Sequence, residues 1–137
     1  MRAVSVCLIL FLVTAHMSVA KILTKCQLLQ ELINHNIAKN DLATLVCIAQ
    51  HESGLNTEAL GGPTSNGAHY YGIFQISDLY WCSDYGVGGD CNINCADLRD
   101  NNLADDIKCA LKIKDSQGFT AWLTYSQYCT DAVVPSC

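Results

Sequence analysis

The 137-residue sequence has no apolar run long enough to cross a bilayer, no basic cluster, no internal repeat and no low-complexity linker. Each absence excludes something. A spanning helix needs roughly 18 or more consecutive apolar residues, so a membrane protein is excluded. Nucleic acid and anionic lipid are held by concentrated positive charge, and none is present. Zinc sites use clustered CxxC pairs or histidines at ligand spacing, which also are missing here.

The chain does carry a leader and a set of cysteines. Arg2 precedes the apolar stretch 4–13, and Ser18-Val19-Ala20 presents small residues at a cleavage spacing. Residues 1–20 therefore read as a signal peptide cut after Ala20, and the protein as secreted and extracellular. Residues 21–137 form one domain by size. Arg2 leaves with the leader, so seven of the 8 Lys and Arg face all 13 Asp and Glu, and the domain is acidic. Of the 9 cysteines, Cys7 also leaves. Eight remain, an even number in a short exported chain, which reads as a disulfide framework. Spacing alone leaves 105 pairings open.

Periodicity places the elements. Thr24-x-x-Gln27 has the form of a capping box, followed by Cys26, Leu29 and Ile33 on one helical face. A second helix follows Asn40-Asp41, with Leu42, Leu45, Val46 and Ala49 as its buried stripe, and ends near Gly54. From Gly61 to Cys82, turn residues surround short apolar segments such as 70–76, predicting a small antiparallel sheet. A helical period returns at Leu103, Ile107, Ala110 and Leu111, and a last short helix is expected over 119–125. Helices flanking a small sheet make an α+β domain, with a ligand cleft between the two lobes.

The segments Cys47-Ile48-Ala49-Gln50-His51-Glu52-Ser53, Tyr71-Gly72-Ile73-Phe74-Gln75-Ile76, Tyr80-Trp81-Cys82, Cys91-Asn92-Ile93-Asn94-Cys95 and Ala121-Trp122, with the eight cysteines, resemble the c-type lysozyme and α-lactalbumin family. The resemblance covers residues 21–137. It implies a lysozyme-like fold with a helical lobe, a small sheet lobe and four disulfides: Cys26–Cys137, Cys47–Cys129, Cys82–Cys95 and Cys91–Cys109. It also implies a β-1,4 glycoside hydrolase (muramidase) cleft that needs no cofactor for catalysis. Its ligand would be peptidoglycan or a chitin-type oligosaccharide, and the protein is expected to be a monomer.

Glu52 matches the family's general acid. Such an acid must stay protonated near neutral pH to protonate a leaving glycosidic oxygen, and burial disfavours its charged form. Trp122 matches the tryptophan that supplies the burial. The handedness of these roles, one carboxyl kept neutral and one charged, is the general scheme for lysozymes. A carboxylate at a helix C-terminus otherwise opposes the macrodipole, so Glu52 has no local structural reason to be there.

The second carboxylate is absent. Before Tyr71-Gly72, where the family's cleaving members carry Asp, stands Tyr70, and Ser77 stands where an Asn usually supports that Asp. Retaining hydrolysis needs an anion beneath the sugar ring, and losing one such electrostatic partner typically costs on the order of 10²–10³ in rate. Tyr70 is read as a wall or stacking residue. As a nucleophile it would need His69 as base, and strand alternation points adjacent side chains apart. Gln75, Ser77, Tyr80, Trp81, Ala121 and Trp122 are expected to bind sugar, through aromatic faces and fixed amides. Asp78 matches a variable surface site.

A second pattern lies in the segment 95–106. Asp100, Asp105 and Asp106, with carbonyls from Asp97 and Asn102 and two waters, would satisfy the six to eight oxygens that Ca²⁺ requires. The segment resembles the calcium loop of α-lactalbumin and of calcium-binding lysozymes, and implies a structural Ca²⁺. Three functions follow: a hydrolase, a non-catalytic amino-sugar binder, or a lactalbumin-type modifier of a partner enzyme. Retained Glu52 argues against the third.

Overall fold

The computed structural model describes residues 21–137; the expected signal peptide, 1–20, lies outside the described residues. The first helix, α1 (Lys25–Asn34), starts where the sequence indicates. The Thr24 hydroxyl accepts from the Gln27 amide while the Gln27 side chain accepts from the Thr24 amide, closing a capping box. Its buried face is Leu28, Leu29 and Leu32. The expected face of Cys26, Leu29 and Ile33 is only partly right, since Ile33 is 48% exposed and Cys26 is drawn to the surface by its bond to Cys137.

The second helix, α2 (Lys39–Ser53), buries Leu42, Leu45, Val46, Ile48 and Ala49. Asp41 in its first turn opposes the positive end of the helix dipole and pairs with Lys114 at 2.5 Å. Gly54 ends it in the left-handed region, φ 62°, where a Cβ would be strained.

Three two-residue strands follow in an antiparallel sheet: β1 (Leu60–Gly61), β2 (Tyr70–Tyr71) and β3 (Ile76–Ser77), in that spatial order. The register pairs Tyr70 with Gly61 on one side and Ser77 on the other. The chain after β2 dives inward, leaving Ile73, Phe74 and Ile76 almost wholly buried. Gly72 makes this dive possible. Its φ is 73°, and a Cβ there would lie 1.8 Å from the Leu98 carbonyl oxygen.

A 3₁₀ turn over Cys95–Arg99 leads to α3 (Leu103–Gln117), capped by the Asn102 side chain, which accepts from the Ala104 amide. Asp105 and Asp106 occupy the first turn as expected, and Leu103, Ile107, Ala110 and Ile113 face the core. The single short helix expected over 119–125 is instead two pieces. A 3₁₀ turn covers Phe119–Ala121 and a π-helical turn covers Tyr125–Cys129, broken by extended backbone at Trp122. The reason is local: Trp122 must turn inward, and a continuous helix would carry it away.

All four disulfides join the pairs that the resemblance implies. Cys47–Cys129 fastens α2 to the π-helical turn, and Cys91–Cys109 fastens the sheet-lobe loop to α3. The core is continuous between the lobes, running from Leu28 and Leu32 through Ile48 to Phe74 and Ile76. Among the described residues no helix is long and apolar enough to cross a membrane.

Candidate active-site cleft

Between the lobes lies a cleft of about 400 Å³, lined on the helical side by Glu52, Ala121 and Trp122 and on the sheet side by Tyr70, Gln75, Ser77 and Trp81. Glu52 is placed by the end of α2. The next residue, Ser53, donates its hydroxyl to the Ile73 carbonyl at 2.7 Å and the Ala49 carbonyl at 3.0 Å, tying the helix end to the sheet lobe. Trp122 is buried, and its indole N–H donates to the Phe74 carbonyl at 2.9 Å. That bond satisfies a polar group which would otherwise be stranded in the core, and it fixes the ring as a wall of the cleft.

Burial raises the pKa of Glu52 above the ordinary carboxylate value. Two groups oppose the rise. The Thr124 hydroxyl donates to Oε1 at 2.8 Å, and His51 contributes favourable charge. His51 itself stacks on Tyr128, with ring centroids 4.4 Å apart. Thr124 was not legible from sequence: a threonine two residues past a tryptophan signals nothing until the break at Trp122 folds it over the α2 terminus. Leu123 and Gln117 also line the cleft without a sequence signal.

Tyr70 is half-buried and faces the cleft. Its neighbours turn to the other face of the strand. Tyr71 donates its hydroxyl to both oxygens of Asp84 at 2.7 Å, and His69 Nδ1 lies 3.1 Å from Asp78 Oδ2. His69 is thus spent on Asp78 and is not a base for Tyr70. Asp78 lines a different cavity and does not replace the missing carboxylate. Ser77, opposite Tyr70 in the register, keeps a hydroxyl at the cleft and accepts from the Leu79 amide at 3.1 Å. Gln75 holds a left-handed backbone, φ 50°, and its side-chain amide donates to the Gly72 carbonyl at 3.0 Å. Trp81 is both core and cleft, only 7% exposed. Tyr80 departs from the expected set: it is 65% exposed and does not line the cavity.

The acidic loop lies outside the cleft lining, where the turn over Cys95–Arg99 packs on β2 and α3. Asp97 and Asn102 are exposed, Asp100 and Asp105 half-buried, and Asp106 fully buried. Asp100 Oδ1 accepts from the Asn102 amide at 2.8 Å. Neither carboxylate oxygen of Asp106 has a hydrogen-bond partner. Burial, then the charges of Asp100 and Asp105, push its pKa up to about 8, against the backbone amides of Asp106 itself and of Ile73, which approach it outside ordinary hydrogen-bond geometry. A buried carboxylate with no donor is costly, and two further carboxylates facing it make a bound cation the natural compensation. The carboxylate oxygens of Asp100, Asp105 and Asp106 do not all lie within 4.8 Å of one another.

The model of the C-type lysozyme/α-lactalbumin family matches residues 21–137. Lysozyme c-1 of Anopheles gambiae is 39% identical over 137 residues, covering 99% of this chain and 96% of that protein. The crystal structure of a lysozyme from Litopenaeus vannamei superposes with a TM-score of 0.76 at 31% identity, covering 84% of this chain and 92% of that one. A structure described as a calcium-binding lysozyme from equine milk superposes with a TM-score of 0.71 at 35% identity, covering 82% and 92%.

Proposed function

The chain belongs to the C-type lysozyme/α-lactalbumin family, and on that premise we propose that its cleft binds β-1,4-linked amino-sugar chains of the peptidoglycan or chitin type while hydrolysing them slowly or not at all. The observation that carries the reading is the pairing of a complete acid side with an incomplete anion side. Glu52 is half-buried beside Trp122 and kept toward its neutral form, as a general acid requires. Tyr70, uncharged and bulky, occupies the sheet-side position where a second carboxylate would steady an oxocarbenium-like centre. The remaining lining, Gln75, Trp81 and Ala121, offers an amide, an aromatic edge and open space to an N-acetyl sugar.

Export belongs to the same reading, with residues 1–20 removed as a signal peptide. Eight paired cysteines support it, because such frameworks persist in oxidising compartments. Asp100, Asp105 and Asp106, with carbonyls of Asp97 and Asn102, would hold a structural Ca²⁺, which neutralises the buried Asp106 carboxylate and braces the start of α3.

The test is a titration of tri-N-acetylchitotriose into residues 21–137, followed by tryptophan fluorescence. Trp81 and Trp122 both line the cleft, so saturable quenching or enhancement is expected. Ala121→Phe, at an exposed lining position, should fill the cleft and abolish the change without disturbing the fold. No saturable signal from the native chain at millimolar sugar would remove the proposal.

A further inference from the structure

On the face of the sheet lobe away from the cleft, three ligand-type side chains meet. A ring nitrogen of His69, an Asp78 oxygen and an Asp84 oxygen all lie within 4.8 Å of one another. They come from separate places in the chain: His69 just before β2, Asp78 just after β3, and Asp84 from the following loop. The register that pairs Tyr70 with Ser77 brings the first two side by side. We propose that His69, Asp78 and Asp84 form a binding site for one divalent transition-metal cation of the zinc type.

Several features make this more than a surface ion pair. Each carboxylate is held by a donor that leaves lone pairs for a cation. The Tyr71 hydroxyl donates to Asp84 at 2.7 Å, and the His69 backbone amide donates to Asp78 Oδ1 at 2.9 Å. Such outer contacts orient metal ligands and sharpen affinity. Among the described residues no lysine or arginine pairs with Asp78 or Asp84, so two negative charges share the site with one imidazole. Asp78 is only 15% exposed at its side chain and His69 37%, while a cavity of about 380 Å³ lined by Asp78 and Asp84 opens to solvent. An entry path therefore exists, and a fourth position would remain for water. Imidazole together with carboxylate oxygen suits Zn²⁺ better than Ca²⁺, which prefers oxygen alone. On binding at Nδ1, a neutral imidazole takes the tautomer with its proton on Nε2 while an imidazolium releases its Nδ1 proton to solvent, and the His69–Asp78 hydrogen bond is replaced by two metal–ligand bonds.

The site is independent of the cleft and of the acidic loop, so its test does not depend on sugar binding. Chelator-treated residues 21–137 would be titrated with Zn²⁺ by calorimetry at neutral pH, with X-ray absorption on the complex. One ion per chain is expected, in a shell of nitrogen and oxygen at about 2.0–2.2 Å with no sulfur. His69→Gln and Asp84→Asn should each weaken binding at least tenfold. Tyr71→Phe, which keeps the ring and removes the bond to Asp84, should weaken it by about 10-fold. His35→Gln and Asp131→Asn should leave it unchanged, and near-ultraviolet circular dichroism would verify that every variant is folded. Absence of binding up to about 1 mM Zn²⁺, or binding that survives both His69→Gln and Asp84→Asn, would overturn the assignment.

Discussion

Replacing Tyr70 by Asp should convert the cleft into a working hydrolase. The substitution removes a phenol that lines the cleft and places a carboxylate on the strand face opposite Glu52. Its surroundings can keep it charged. Ser77 stands directly across the register, and its hydroxyl, which now accepts from the Leu79 amide, retains its own hydrogen to donate. Directly opposed side chains of an antiparallel pair have Cβ atoms roughly 4.5–5.5 Å apart, within reach of such a bond. A new negative charge near Glu52 also favours the protonated acid, reinforcing the shift that burial already causes. Preorganised electrostatic partners are worth on the order of 10²–10³ in kcat, about 2.7–4 kcal/mol of barrier. That gain should appear in Tyr70→Asp on soluble peptidoglycan or a chitin oligomer, mostly in kcat. Adding Ser77→Asn should raise it further, and Glu52→Gln in the same background should remove it. The reasoning fails if Tyr70→Asp folds and binds sugar yet shows no gain. It fails equally if the native chain already cleaves rapidly in a manner that Glu52→Gln abolishes.

Other outcomes follow from the same geometry. Thr124→Val preserves shape but removes the hydroxyl that favours ionised Glu52, so the Glu52 pKa, read by carboxyl carbon NMR, should rise above its native value. Because the folded chain holds the Glu52 proton more tightly than the unfolded chain, its contribution to stability is greatest below the ordinary carboxylate pKa and declines as pH rises through the folded value. Urea melts should therefore show Glu52→Gln gaining on the native protein as pH rises from the ordinary carboxylate pKa through the raised folded value. Calcium at about 100 times its Kd should stabilise the native chain by about 2.7 kcal/mol, a Tm increase of several degrees, and Asp106→Asn should abolish that increase.

What the sequence disclosed and what it concealed follow a physical line. Features set by neighbouring residues were readable: the Thr24–Gln27 capping box, the Gly54 stop and the Asp105–Asp106 first turn all appear where expected. The disulfide pairing came only through the resemblance, since spacing left it open. Features set by the return of distant chain were not readable. Ile33 looked like core by period, yet the buried face of α1 is rotated toward Leu28 and Leu32 to meet α2. The helix expected over 119–125 gave way because Trp122 answers to Phe74, 48 residues earlier. Tyr80 belonged to the expected sugar-binding set by position, but its side chain points into solvent. The His69, Asp78 and Asp84 grouping has no ligand spacing along the chain, because strand register creates it in space.

The bond between Cys26 and Cys137 spans 111 residues, nearly the whole of the described chain. It turns the polypeptide into a closed loop with both ends fastened together. A single cut by a protease anywhere inside that loop opens a ring and releases no fragment. The three inner bonds then hold the cut edges near their partners, so the damaged molecule keeps a route back to its native arrangement. Loops of about 100 residues closed this way remove roughly 4.7 kcal/mol of unfolded-state freedom by the chain-entropy model. Durability of this kind rests on connectivity, and it does not depend on the chemistry of the cleft.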